Sequence, residues 1–382
     1  LFQRREKDAR MKHAPISTLT QHLVDHGPDH PVLFFAPERL HHSARVFQQG
    51  FPGLTTYAVK ANSDPGVLEN LVTAGLHAFD VASPAEMEAV RAAHPKAALH
   101  YNNPVRSEAE IAAARAYGIA SASVDDLRGL MTIAPLGCEI AVRFKLPVKG
   151  AAYDFGSKFG ATPEEAEMLL RRAADLGLPL AMTFHPGTQC TDPEAWAVYI
   201  QTAARIAARA GVRLGRLNVG GGFPAHRYGQ APDLHRFFTR IGEAVVQAFG
   251  ADTPALVCEP GRAMVADAFA LATRIKAVRD TGAIFLNDGI YGGLSELRDI
   301  GPSDRIRILS PQGLRRQGAA EPHMVFGPTC DSLDHLPQPL ALPGDATEGD
   351  YVIFDGMGAY SLSIATRFNG YGLGAPIAVT AL

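Results

Sequence analysis

Cysteine is scarce in this 382-residue chain: Cys138, Cys190, Cys258 and Cys330 lie far apart and form no Cys-x-x-Cys pair. That spacing argues against a disulfide scaffold and a zinc site, so no metal is expected and a reducing cytoplasm is the expected location. Net charge is small as well, since 36 basic against 39 acidic residues leave −3. The two signs are interspersed, so neither nucleic acid nor an anionic membrane surface is an expected partner, and a small molecule is. No apolar run approaches the ~20 residues of a bilayer-spanning helix. With 47% hydrophobic and 20% charged residues, the composition predicts a soluble globular protein with a large domain and a smaller companion.

Residues 1–12 are read as an upstream extension or cloning remnant: Leu1 to Arg10 are highly charged, precede Met11 and lack a secretory apolar region. Beyond them, short β-like runs alternate with helical segments. Eight such runs stand out: Tyr57–Lys60, His77–Ala82, Ala98–Tyr101, Ser121–Val124, Glu139–Arg143, Ala181–His185, Arg216–Val219 and Ala255–Glu259. Helix starts are marked at Asp64-Pro65, Ser83-Pro84, Ser107, Asp125-Asp126, Thr162-Pro163 and Asp192-Pro193. Parallel strands need crossover helices, so the series predicts a (β/α)8 TIM-like barrel over 36–265; the strand count disfavours an open doubly wound sheet. After about residue 265, Ala268–Ile275, Asp304–Leu309, Tyr351–Phe354 and Ile377–Leu382 alternate or form compact apolar runs between Gly and Pro turns. They predict a second, antiparallel β-rich domain formed by 13–35 and 266–382.

In such barrels, chemistry sits where strands end. The strand ends bring Lys60, Asp80, Asn102, Asn103, Asp125, Arg143, His185, Gly220 to Gly222, Glu259 and Arg262 to one rim. Only eight lysines occur in the chain. Lys60 follows an apolar run, and a desolvated amine can form an imine with an aldehyde; Lys145 is the rival. Gly220, Gly221 and Gly222 leave N–H groups unobstructed, as a phosphate loop requires, although an ordinary turn would also explain them. Glu259-Pro-Gly261-Arg262 pairs an acid with a guanidinium, either as a structural ion pair or as groups for a pyridinium and a phosphate. His185 is either a satisfied histidine or a partner for a flat ring, with Thr188 beside it for phosphate. Cys330 and Asp331 combine a thiol and an acid, suited to proton donation and cation recognition.

Taken together, Tyr57-Ala-Val-Lys-Ala-Asn62, Phe79–Ser83, Ser157-Lys-Phe-Gly160, Phe184-His-Pro-Gly187, Asn218–Pro224, Glu259–Arg262, Asn287-Asp-Gly-Ile-Tyr291, Gly327–Asp334, Asp355–Tyr360 and Phe368-Asn-Gly370 resemble the fold type III pyridoxal 5′-phosphate (PLP) decarboxylases. The likeness is greatest to the ornithine branch. It implies PLP joined to Lys60, with His185 against the ring and Glu259 on the ring nitrogen. Phosphate would lie on Gly220 to Gly222, Thr188, Arg262 and Tyr360, with Gly261 in the same segment, while Asp80, Glu86 and Arg143 line or support the pocket. It also implies a head-to-tail homodimer in which Cys330 protonates Cα, Asp331 binds the distal ammonium, and Phe368 forms part of the wall, with Tyr291 also binding substrate. The expected reaction is decarboxylation of L-ornithine to putrescine. Lysine, arginine, diaminopimelate or a carboxylated polyamine are alternatives, and a racemase or a non-catalytic regulator are remote ones.

Two departures stand out. The aspartate that commonly opens the glycine-loop motif is Asn218. The family's second acid for the distal amine, normally in a Tyr-Asp-His context, is missing from Gly292–Ile300, where Glu296 or Asp299 would have to substitute.

Overall fold

A computed structural model describes residues 17–146 and 158–382. Ser157, residues 1–12 and residues 13–16 of the expected β domain lie outside them. The chain divides into two compact units, one spanning Leu40–Ala266, the other combining the chain up to Arg39 with Asp267–Leu382.

In the first unit, strand segments pair in parallel in the order Leu54–Thr55, Ala255–Cys258, Arg216–Asn218, Leu180–Thr183, Glu139–Arg143, Ser121–Val124, Ala98–Tyr101, Ala78–Val81, Tyr57–Ala58. The two ends of that path are one stretch of chain interrupted only at Thr56, whose N–H and hydroxyl both donate to the Cys258 carbonyl, at 2.9 and 3.0 Å. Leu54 and Thr55 register against Val257 and Cys258, and Tyr57 and Ala58 against Phe79 and Asp80. The sheet therefore returns on itself, and eight staves close a TIM-like barrel. Strands such as Ala78–Val81 and Ser121–Val124 are buried at every position, as staves packed on both faces must be.

The helices between staves begin where local chemistry dictates. Ser107 and Thr162 form complete capping boxes with Glu110 and Glu165, and Asp64 and Ser83 cap helices that start on proline. Two expected starts are displaced. Asp126, not Asp125, caps Leu127–Ile133, leaving Asp125 to accept the Gly160 N–H at 2.9 Å. Before Glu194–Ala210 the Asp192 side chain accepts the Glu194 N–H, but the capping position itself falls to Pro193. That helix buries Trp196, Ala197, Ile200, Ala203, Ile206 and Ala207, a stripe at helical spacing.

The other unit is a sheet in the order Ile306–Leu309, Tyr351–Asp355, Phe269–Val278, Val32–Phe35, Ile377–Ala378; Ile284–Leu286 also pairs with Phe269–Val278 and with Val325–Phe326. Most pairings are antiparallel; Val32–Phe35 with Ile377–Ala378 and Ile284–Leu286 with Val325–Phe326 are parallel. The expected run Ile377–Leu382 is a strand only over Ile377–Ala378. Helix Leu19–His26 lays Leu19 and Leu23 on this sheet, in a core with Val32, Phe34, Tyr351 and Ile353. Among the described residues no helix is long and apolar enough to cross a membrane.

Candidate active site

The stave Tyr57–Ala58 is buried, and a 3₁₀ turn over Val59–Ala61 turns the next side chain outward. Val59 and Ala61 are fully buried while Lys60 is exposed, so the desolvation expected of this amine is not what the structure shows. Its surroundings are charged instead: Lys60 acts on Asp80, His185 and Glu259 at three stave ends, and on Glu86 in the first turn of the helix Pro84–Ala93 that follows the Asp80 stave. Lys145, the rival amine, acts on Glu165 in the first turn of Pro163–Asp175, outside this group.

The acids form a connected set. Asn102 and Asn218 both donate their Nδ2 to Oε1 of Glu259. Desolvation and the nearby Asp80 push Glu259 up, against the Asn218 bond and the charges of Lys60 and Arg143. Asp80, 6% exposed, is likewise pushed up by desolvation, opposed by Lys60, a bond from Asn102, and Arg143. Glu86 accepts the Ala82 N–H at 2.7 Å and is raised to about 7, mainly by desolvation. Arg143 is lowered by desolvation, against the pull of Glu259, Asp125 and Asp80, and its guanidinium lies 5.3 Å from the Phe159 ring centre.

His185 lies two residues beyond the stave Leu180–Thr183, half-buried, with its Nδ1 accepting the Gly187 N–H at 3.1 Å. Desolvation, Lys60 and Arg143 hold it well below its ordinary value, so its ring is neutral at neutral pH. Close approach explains the glycine triplet: a Cβ at Gly220, Gly221 or Gly222 would collide with the carbonyl of Phe184, Glu259 or Gly187. Gly220 and Gly222 also have φ of 70° and 82°. The loop is tied down by Glu259 N–H to Gly220 O and Cys190 N–H to Gly222 O, both 2.9 Å, with half-buried Thr188 two residues before Cys190. Gly261 packs against Ala61 and Ala58, so Arg262, opening the helix Arg262–Val265, follows a turn seated on the Lys60 stave.

A second cluster lies within the other unit. Tyr291 donates its hydroxyl to Asp331 Oδ2 at 2.5 Å, and the Leu333 N–H donates to Oδ1 at 3.0 Å. The Leu333 and Tyr291 bonds hold the Asp331 carboxyl below the usual carboxylate range. Cys330 is exposed; its N–H and thiol both donate to Oδ1 of Asn369, at 3.1 and 3.3 Å. The ring of neighbouring Phe368 is 5.0 Å from that of Tyr291. Buried Asp334 braces the cluster, accepting N–H groups of Ile290 and Thr329 at 3.0 Å each. Tyr360 sits in this unit with a left-handed φ of 63°, a costly backbone for a bulky residue. Glu296 precedes the short helix Leu297–Ile300, and Asp299 is held by Arg298 at 3.2 Å.

Three contributors went unassigned in the sequence: Asn102 as a donor to Glu259, Asn369 on Cys330, and Asp334. Asn102 follows a stave at the rim, and Asp334 and Asn369 stand in the stretches Gly327–Asp334 and Phe368-Asn-Gly370 that carry the resemblance, so each had a signal in the sequence but no assigned partner.

Residues 38–266 match the family described as pyridoxal-dependent decarboxylase, pyridoxal binding domain. The lysine/ornithine decarboxylase of Selenomonas ruminantium is 30% identical over 377 residues, which is 96% of this chain and 92% of that one. Ornithine decarboxylase of Mus musculus is 28% identical over 340 residues, 82% of this chain and 73% of that one. The crystal structure of the Paramecium bursaria Chlorella virus arginine decarboxylase aligns with a TM-score of 0.83 at 25% identity, over 95% of this chain and 99% of that one. The relatives span both units and differ in the basic amino acid they are named for, so this chain belongs to the PLP-dependent decarboxylases acting on basic amino acids.

Proposed function

We propose that this enzyme converts L-ornithine to putrescine and CO2 in the cytoplasm, with lysine, arginine, diaminopimelate and carboxylated polyamines as the competing substrates. The observation that carries the reading is the Asp331 carboxylate, kept ionised by Tyr291 and the Leu333 N–H near the Tyr291 and Phe368 rings. An ionised acid beside aromatic surface suits an ammonium at the end of a short aliphatic chain.

The barrel rim fits PLP by its donor set: an exposed primary amine, a neutral imidazole, an acid gripped by two amides, and a loop pressed too close to its neighbours to carry side chains. When bound, PLP supplies the electron sink that accepts the pair left behind as CO2 departs. Lys60 offers the amine that anchors the cofactor, and Glu259 holds a proton against the ring nitrogen. His185 presents its uncharged face to the ring, with Asp80 and Arg143 fixing the charge balance around it. Gly220 to Gly222, Thr188, Gly261, Arg262 and Tyr360 hold the phosphate. Cys330 delivers a proton from Sγ to Cα, Asp331 binds the distal ammonium, Tyr291 orients Asp331, Phe368 walls the chain, and Glu296 or Asp299 reads its far end. The exposed thiol, together with Leu333 at 65% and Phe368 at 44% exposure, supports a homodimer in which this segment completes the partner's site.

The test is CO2 release across ornithine, lysine, arginine, diaminopimelate and carboxynorspermidine, including D-isomers. Turnover is expected to be highest with L-ornithine; a faster substrate in the panel would replace it, and silence on every basic amino acid would remove the substrate assignment. On the preferred substrate, Asp331→Asn is expected to raise KM about ten- to a hundredfold, with PLP affinity unchanged. Tyr291→Phe should do the same more weakly, because it removes only the bond that orients the acid. Equal effects on KM and PLP affinity would show that the cluster serves the fold rather than the substrate.

A further inference from the structure

Asn218 stands where the motif commonly has aspartate, and its side chain makes two bonds of opposite polarity. Its Oδ1 accepts the Gly220 N–H at 2.9 Å, and its Nδ2 donates to Glu259 Oε1, the oxygen that also receives Asn102. The residue ends the stave Arg216–Asn218, lies in register with Thr183 and Val257 on its two neighbours, and is 7% exposed. A side chain so enclosed has little room to reorient. An aspartate of the same shape would keep the Gly220 bond but turn a carboxylate oxygen toward Glu259, in a place where Asp80 already repels it.

We propose that Asn218 is a positioning residue whose amide ties the glycine loop to Glu259, so that one side chain sets both the loop and the orientation of the acid. The tie is a property of the protein alone. Its catalytic consequence rests on Glu259 meeting the ring nitrogen as proposed above.

The experiment is thermal melting of the full-length chain freed of PLP, at pH 5.5 and 8.5, with Asn218→Asp and the double variant Asn218→Asp/Glu259→Gln. In the single variant the two carboxyls share a proton, and Asp80, Lys60 and Arg143 are the other charges acting on Glu259. A buried carboxyl whose folded pKa lies above its unfolded one keeps the fold stable while protonated, and that stability is lost as pH rises through the folded value. The Tm deficit of Asn218→Asp is therefore expected to be small at pH 5.5 and wider by roughly 3 °C or more at pH 8.5. The double variant removes the second carboxyl, so the extra deficit at pH 8.5 should shrink; a pH-independent part remains, because the amide that Glu259→Gln turns toward position 218 also faces the Asn102 donor. A deficit equal at both pH values, or a double variant whose deficit widens with pH as much as the single's, would overturn the tie.

With PLP bound, Asn218→Asp is expected to lower kcat on the order of tenfold, as loss of a reacting group's outer partner does, with KM little changed. Unchanged kcat would remove the catalytic consequence while the melts still judge the tie.

Discussion

Lys60→Ala is expected to give a folded protein that does not retain PLP through gel filtration and that releases CO2 about 10⁴-fold more slowly, or not at all. Folding should survive because the side chain is exposed, while the packing of its turn comes from buried Val59 and Ala61. Activity should not, because the groups that Lys60 acts on, Asp80, Glu86, His185 and Glu259, and their partners Asn102, Asn218 and Arg143 are acids, an imidazole, amides and a guanidinium, none of them a primary amine. Borohydride reduction of the PLP-supplied parent, followed by peptide mass spectrometry, should find the cofactor on residue 60. A label on Lys145 or any other side chain would overturn the assignment.

The second large effect is a recovery. Lys60→Ala and Cys330→Ala proteins, each inactive or nearly so alone, are expected to regain about a quarter of parental activity when mixed under conditions that exchange subunits. Random pairing makes half the dimers mixed, and each mixed dimer then has one site with both groups intact. No recovery with demonstrated exchange would mean that Lys60 and Cys330 act from one chain, and the shared-site homodimer would be abandoned. Parental Cys330→Ala activity would instead remove the thiol as proton donor.

The barrel was legible because its signals are local. Ser107 with Glu110, and Thr162 with Glu165, announce helix starts within four residues, and the apolar runs between them need only their own composition. Where two carboxylates adjoined, as at Asp125 and Asp126, composition could not say which would cap and which would reach across to Gly160. Exposure of Lys60 was not legible either, because it depends on a 3₁₀ turn that the apolar flank disguises as continuing strand. The grip on Glu259 joins residues 157 and 41 positions away, and Asn369 reaches Cys330 across 39; no periodicity encodes such pairs. Glu296 and Asp299 had matching chemistry but no fixed place, and Asp299 turned out to be held by its neighbour Arg298.

The hydrogen bonds from Thr56 to Cys258 join residues 202 apart, and they sit four positions before Lys60. During synthesis the amine-bearing segment leaves the ribosome well before its stave can gain its last neighbour, which lies 202 residues further along the chain. Loop closure over that span is slow and comes late, so reactive geometry at the barrel mouth is among the final features to mature. Truncated or stalled nascent chains thus carry the lysine without the ring of staves that gives it a purpose.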